Sequence, residues 1–247
     1  MDNTHSQSSG YFPFLDEFDS GFSERLLDMH LFRSGIGRYP QAETARHQKE
    51  AIRTDEKLFS NAEQINALNH LINQSRYAEA QALARNITNR YPLQGYAWHA
   101  LGAILLQQGQ TEEALIHLKS AIVLLPSDAE AYNNYGCALE RLGRKQEAER
   151  SYQYAISIRA DFAQAHHNLG VVQRELGQYD DSHNSLQHAI QIAPDYANAH
   201  YNLGLTLVRL NRIDEAVNHI QVAVKIKPDH PCARVALDII QANLAVA

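Results

Sequence analysis

The sequence predicts an all-α solenoid built from stacked helical hairpins, and three observations carry the prediction. The first is a period of 34: Gly102, Gly136, Gly170 and Gly204 recur at that interval, preceded in the same register by Leu101, Tyr135, Leu169 and Leu203, with Ala121, Ala155, Ala189 and Ala223 following in step. The second is that helical apolar spacing starts twice per period. Trp98, Leu101, Leu105 and Leu106 form one run, Gly109 interrupts it, and Ala114, Leu115, Leu118, Ala121 and Ile122 form the next. The third is punctuation, since Pro92, Pro126, Pro194 and Pro228 mark the unit ends and Ala160 stands where one proline is missing.

The register divides the chain into five units, 61–94, 95–128, 129–162, 163–196 and 197–230, with an N-terminal extension over 1–60 and a C-terminal capping helix over 231–247. Within a unit each stop has a physical reason. The position between the two helices reads Ser75, Gly109, Gly143, Gly177 and Asn211, and Gly and Asn best tolerate the left-handed conformation that closes a helix. Ser127, Asp161, Asp195 and Asp229 are expected at or beside the N-cap of the following helix, accepting bonds from its free amides. A glycine inside a helix costs about 1 kcal/mol relative to alanine, so the four glycines in register require close helix contact. Small residues of the second helix, Ala80, Ala114, Ala148, Ser182 and Ala216, are the expected partners.

Composition narrows the function classes. Of 247 residues, 45% are hydrophobic and 20% charged, which fits a folded soluble chain. A net charge of -6 with interspersed signs argues against nucleic acid as a partner. No run approaches the roughly 18 apolar residues of a membrane helix, and Met1 to Gly10 has no signal-peptide pattern, so no membrane association and a cytoplasmic setting are expected. The two cysteines, Cys137 and Cys232, form no CxxC motif, and Cys137 on a first helix is expected to be a buried small residue. The thirteen histidines include no pair four residues apart, and no GxSxG or GxxxxGK motif occurs. No catalytic residue, metal site or cofactor is therefore expected, and His166 and His200 are assigned to packing.

Taken together, these residues resemble the tetratricopeptide repeat signature. An aromatic, Leu-Gly, a second-helix Ala, a large apolar residue, another Ala and a closing Pro are met by Trp98, Leu101, Gly102, Ala114, Leu118, Ala121 and Pro126. His166 and His200 stand in place of the aromatic. The resemblance covers 61–230 and implies a right-handed superhelix whose first helices line a concave groove, in proteins that act as scaffolds and bind peptides.

On a first helix, about 100 degrees per residue turns Asn168 nearly opposite the stripe His166, Leu169 and Gly170. Asn134, Asn168 and Asn202 share that position, as does Asn66, and only Ala100 breaks the series. An asparagine amide can donate to and accept from a peptide backbone at once, so these residues are read as a peptide-holding ladder. The ladder resembles that of O-GlcNAc transferases, whose repeat superhelix holds substrate by its main chain; only the repeat region is matched, because His230 to Ala247 are too few for a transferase domain. Repeats that clamp a C-terminal carboxylate need basic pairs on the inner face, whereas the residues here are His99, Asn133, His167 and Tyr201, so no such clamp is expected.

The extension reads as a polar start, an aromatic and acidic segment from Tyr11 to Phe22, a short helix from Ser23 to about Arg33 and a helix from about Gln41 to Phe59, covering the flank of the first unit or serving as a tethered peptide. At the other end Leu237, Ile240 and Leu244 give an apolar stripe expected to support a homodimer. The expected function is a non-enzymatic scaffold or adaptor whose partner is a protein or peptide in the groove. The alternatives are an accessory subunit delivering substrate to a separate glycosyltransferase and a structural oligomer assembled through the C-terminal helix.

Overall fold

The computed structural model describes residues 62–246, with side chains up to 240, inside one compact unit spanning Asn61–Ala247. The readings made for the N-terminal extension lie outside the described residues. Eleven α-helices follow one another in the described part: α1 (62–73), α2 (Tyr77–Arg90), α3 (Gly95–Gln107), α4 (Thr111–Leu124), α5 (Ala129–Arg141), α6 (Lys145–Ile158), α7 (Ala163–Glu175), α8 (Tyr179–Ile192), α9 (Ala197–Arg209), α10 (Ile213–Ile226) and α11 (Ala233–Val246). Each odd-numbered helix from α1 to α9 pairs with the next as a hairpin.

The hairpin turns are set by one residue each. Ser75, Gly109, Gly143, Gly177 and Asn211 adopt φ of 59, 79, 75, 80 and 60°. The following amide then reaches back five residues: Arg76, Gln110, Arg144, Gln178 and Arg212 donate to the carbonyls of Leu71, Leu105, Leu139, Gln173 and Leu207, each at 2.9 Å. This is the Schellman arrangement, which satisfies carbonyls that a helix end leaves open.

Inside each hairpin the mid-helix glycine sits where no side chain fits. A Cβ on Gly102, Gly136, Gly170 or Gly204 would lie 2.5, 2.6, 2.5 or 2.4 Å from atoms of Leu118, Tyr152, Leu186 or Ile220. The expected small partners contribute in a different way: the backbone carbonyls of Ser182 and Ala216 pass 3.1 Å from the would-be Cβ atoms of Gly170 and Gly204, while the large residue four positions on fills the space. Those large residues are fully buried with Leu101, Leu105, Leu139, Leu203 and Leu207. Ser182, the polar member of the small series, donates to the Gly170 carbonyl at 2.7 Å and pairs with the Thr206 hydroxyl at 3.0 Å, so its hydroxyl is satisfied.

The capping expectation is corrected. Ser127, Asp161 and Asp195 do stand beside the N-caps, but the amides are not bonded by their side chains; the caps of α3, α5, α7 and α9 are Gln94, Asp128, Phe162 and Tyr196, and of these only the Asp128 side chain accepts backbone amides, from Glu130 and Ala131. The same register reaches His230, whose Nδ1 accepts from the Cys232 and Ala233 amides at 3.4 and 3.2 Å. The closing loops place the cap one residue later than the acidic series suggested.

The C-terminal stripe is corrected as well. Leu237 and Ile240 pack back with Tyr201 and Val224 against Ile220, Ala223 and Ala233, leaving Val235 and Ile239, each 56% exposed, as the apolar residues that face out. The side chain of Leu244 lies outside the described residues. Among the described residues no helix is long and apolar enough to cross a membrane.

Candidate functional site

First helices of successive units touch one another directly, α3 with α5, α5 with α7 and α7 with α9, in addition to the contacts between consecutive helices. Helices drawn together on one side of a stack make that side concave, so the inner face is formed by α3, α5, α7 and α9.

Two columns of residues run along this face. Asn134, Asn168 and Asn202 occupy one, and His99, Asn133, His167 and Tyr201 the other. The asparagines are half-buried, and each is tied to the preceding unit. Asn134 Nδ2 bonds His99 Nε2 at 3.0 Å, Asn168 Nδ2 donates to Asn133 Oδ1 at 3.0 Å, and Asn202 Nδ2 bonds His167 Nε2 at 3.0 Å. Every one of these joints spans 35 residues, one period plus one. Side chains read from helical periodicity as pointing straight into the groove therefore lean against the unit before.

The imidazoles in these joints must be neutral at the accepting nitrogen. His99 Nδ1 lies 3.0 Å from Asp128 Oδ2, so its proton sits on Nδ1 and Nε2 is left to accept from Asn134. Burial pushes the Asp128 carboxyl up, but the bonds from His99 and from the Ala131 and Glu130 amides outweigh it and hold the group below its usual range. His167 does the same between two asparagines, donating from Nδ1 to Asn168 Oδ1 at 3.1 Å and accepting from Asn202 at Nε2. Burial lowers its pKa, which keeps that acceptor available at neutral pH. The cap of the following helix packs on this second column, with Tyr196 at 5.0 Å from the His167 ring and His230 at 4.9 Å from Tyr201.

Not every amide atom is used. Asn168 also reaches Cys137 Sγ at 3.5 Å, and Asn202 reaches the Asn198 carbonyl at 2.9 Å and takes Arg174 Nη2 at 3.3 Å. Asn134 makes the His99 bond alone, so its Oδ1 and second N–H face the groove. In the unit before, Ala100 provides no amide, and Tyr96 donates instead to Asn69 Oδ1. Cys137 is half-buried on the inner face rather than packed in the core, with the Tyr152 hydroxyl 3.5 Å from its sulfur and burial raising its thiol pKa.

The groove deepens in two places. A concavity of about 340 Å³ is lined by Tyr77, Tyr96, His99, Asp128, Glu130 and Asn134, and one of about 750 Å³ by Arg174, Glu175, Tyr179, Leu205, Val208 and Arg209. The second brings together two arginines that occupy different positions in their units, so a search by period could not pair them.

A separate column serves packing, as the sequence indicated. Trp98 Nε1, His166 Nε2 and His200 Nε2 each bond the carbonyl six residues back, on Pro92, Ala160 and Pro194, at 2.8, 3.0 and 3.1 Å. Histidine thus keeps the N–H donor of the tryptophan it replaces. Among the described residues no group of three His, Cys, Asp or Glu side chains is placed to hold a metal ion.

This arrangement of hairpins and inner face defines a helical-repeat interaction protein. Tetratricopeptide repeat models match residues 129–162 and 161–229, and a TPR repeat model matches 102–143, so the matched stretch is continuous from 102 to 229 and the chain belongs to the tetratricopeptide repeat family. Repeats of this family mediate protein–protein interaction. A crystal structure of MamA is 25% identical with a TM-score of 0.59, covering 66% of this chain and 95% of that one. YrrB, described as a TPR protein with an unusual peptide-binding site, is 21% identical with a TM-score of 0.60 over 70% and 89% of the two chains. TTC0263, a thermophilic TPR protein in Thermus thermophilus, is 21% identical with a TM-score of 0.57 over 74% and 99%. No curated protein matches the sequence.

Proposed function

We propose that the chain is a non-enzymatic adaptor that holds an extended polypeptide along its concave face, with Asn134, Asn168 and Asn202 contacting the ligand main chain. The observation that carries this reading is the repeated joint to the preceding unit. One amide N–H of each asparagine is fixed against His99, Asn133 or His167, which sets the amide plane before any ligand arrives and lowers the ordering cost of binding. Asn134 has the most unengaged capacity and is the strongest contact of the three in this reading. The likeness to the O-GlcNAc transferase repeats rests on this column alone, and a role as the substrate-delivering subunit of a separate glycosyltransferase would use the same face.

The test is the triple variant Asn134→Ala, Asn168→Ala and Asn202→Ala, measured by fluorescence anisotropy with labelled, capped peptides of about a dozen residues. One hydrogen bond lost per position, at about 0.5–1.5 kcal/mol each, weakens binding by about tenfold or more. The joints also predict a stability loss of similar size per position, so binding is compared at a temperature where both proteins are folded. Equal affinity in the folded triple variant would remove the asparagines from the binding site.

Self-association through α11 is a second reading, resting on the exposure of Val235 and Ile239. Sedimentation of the intact chain and of Ile239→Glu tests it; Ile240 is unsuitable because it packs on the last repeat. A monomeric intact chain ends this reading.

A further inference from the structure

The two concavities of the inner face carry opposite charge. In the first, between α3 and α5, Asp128 and Glu130 supply two carboxylates beside Tyr77 and Tyr96. Asp128 is bonded by His99, and Glu130 is met at 3.3 Å by Arg159, which does not line this concavity. In the second, between α7 and α9, Arg174 and Arg209 converge beside Tyr179. Glu175, paired with Lys145 at 3.0 Å outside the lining, is the one carboxylate against two arginines, so the local balance is positive. Both arginines have unspent donors. Arg174 gives Nη2 to Asn202 at 3.3 Å while its buried Nε has no partner, and Arg209 gives Nε to the Tyr179 hydroxyl at 3.2 Å with its guanidinium 5.5 Å from that ring. The Nη groups these bonds leave free can take a carboxylate in charge-assisted hydrogen bonds. Between the two charged ends stand Asn133, Asn134, His167 and Asn168, and α5 places one acid and one base, Glu140 and Arg141, in the register of Arg174 and Arg209, so the stretch carries no net charge.

From this distribution we propose that the groove selects a dipolar segment of polypeptide, with a lysine or arginine over Asp128 and Glu130 and an aspartate or glutamate over Arg174 and Arg209. The proposal rests on the reading of the inner face as a peptide groove and adds what that groove prefers. The concavities are two first-helix steps apart. The carboxylates stand at the first turn of α5 and the arginines at the last turns of α7 and α9, about 16 Å further along the helix axis. With about 8–10 Å per sideways step and about 3.3 Å per extended residue, the two charges stand about seven or eight residues apart in the ligand. The asparagines lie over the intervening stretch and read its main chain, so the opposite charges at the two ends fix register, a task that backbone contacts alone leave undone. The basic end is absent from the positions that make the carboxylate clamp of other repeats, because Arg174 and Arg209 lie about two turns further along their helices than His167 and Tyr201.

The test uses the full chain and three labelled peptides of about a dozen residues with capped ends, built on Ala, Ser and Gln. One carries Lys and Glu about seven positions apart, one carries Lys at both places, and one is neutral. At low salt the Lys/Glu peptide binds about fivefold or more tighter than either of the others, and the advantage shrinks at high salt as the charges are screened. Arg209→Glu, at an exposed position, inverts the preference so that the Lys/Lys peptide becomes the tighter ligand, and Glu130→Gln, which removes the charge without setting a cation against Arg159, weakens the Lys/Glu peptide at a temperature where the variant is folded. Equal affinity for all three peptides overturns the charge preference while leaving main-chain capture intact. Absence of binding by any of the three overturns both readings.

Discussion

Helix α7 turns His166 toward the Ala160 carbonyl and the His188 ring, and its neighbour His167 toward Asn168 and Asn202. The two imidazoles are adjacent in the chain and about 100 degrees apart around the helix, and they meet different demands. His166 acts only as a donor, to the loop that closes the preceding unit, a role that a tryptophan fills equally well at Trp98. His167 donates on one side and accepts on the other, and the accepting side belongs to the next unit. The packed side of the helix therefore tolerates exchange among ring N–H donors, while the inner side needs a group that is donor and acceptor together.

The comparison can be broken hardest at its packed side. Gly170→Leu places a side chain 2.5 Å from Leu186 and should cost roughly 1–3 kcal/mol or more, read as a drop in thermal unfolding temperature, with hydrogen exchange rising around α7 to α10. Unchanged unfolding would contradict the close approach.

On the inner side, His167→Leu removes the acceptor of Asn202 and the donor to Asn168 together. Leaving half-buried amide groups unpaired costs about 1–3 kcal/mol, so this variant should fall clearly below wild type in denaturant midpoint. His166→Phe gives up one bond to a carbonyl near the surface and should lose at most about 1 kcal/mol. A reversal of that order would show that the two-sided joint at His167 is weaker than the single bond at His166.

Acid sharpens the same contrast. Burial lowers the pKa of His117, His166, His167 and His219 in the folded chain, so the unfolded chain binds more protons below about pH 6.5. Stability is then flat above that pH and falls as the pH drops through it toward the lowered folded values. Protonated His166 keeps its donor bond to Ala160, whereas protonated His167 loses the acceptor for Asn202. His167→Gln should accordingly flatten the acid dependence of unfolding more than His166→Gln does. Parallel curves for the two variants would count against the tautomer assigned to His167.

Legibility in the sequence followed the range of each constraint. The hairpins and their turns depend on one residue at a time, so Gly109, Gly143, Gly177 and Asn211 announced the positive φ they adopt. The glycine contacts were announced as close packing, but the partner was partly misassigned, because Leu186 and its equivalents sit beside the small series rather than in it. Caps failed for a geometric reason: the loop places Phe162 and Tyr196, not Asp161 and Asp195, at the first turn, and neither has a side-chain acceptor. The joints of the inner face could not be read at all, since a donor and an acceptor 35 residues apart become partners only once the stacking of units is known. Arg174 and Arg209 were hidden in the same way, at unit positions that a search by period keeps separate.

The joint of one period plus one also gives the units a connector of standard form. The plug is an asparagine amide, and the socket has already been filled in two chemically distinct ways, by imidazole nitrogen at His99 and His167 and by amide oxygen at Asn133. A plug that accepts either socket does not care which unit stands before it. Units 129–162 and 163–196 each carry both plug and socket, so these two blocks could exchange places between the same neighbours without redesigning the seam.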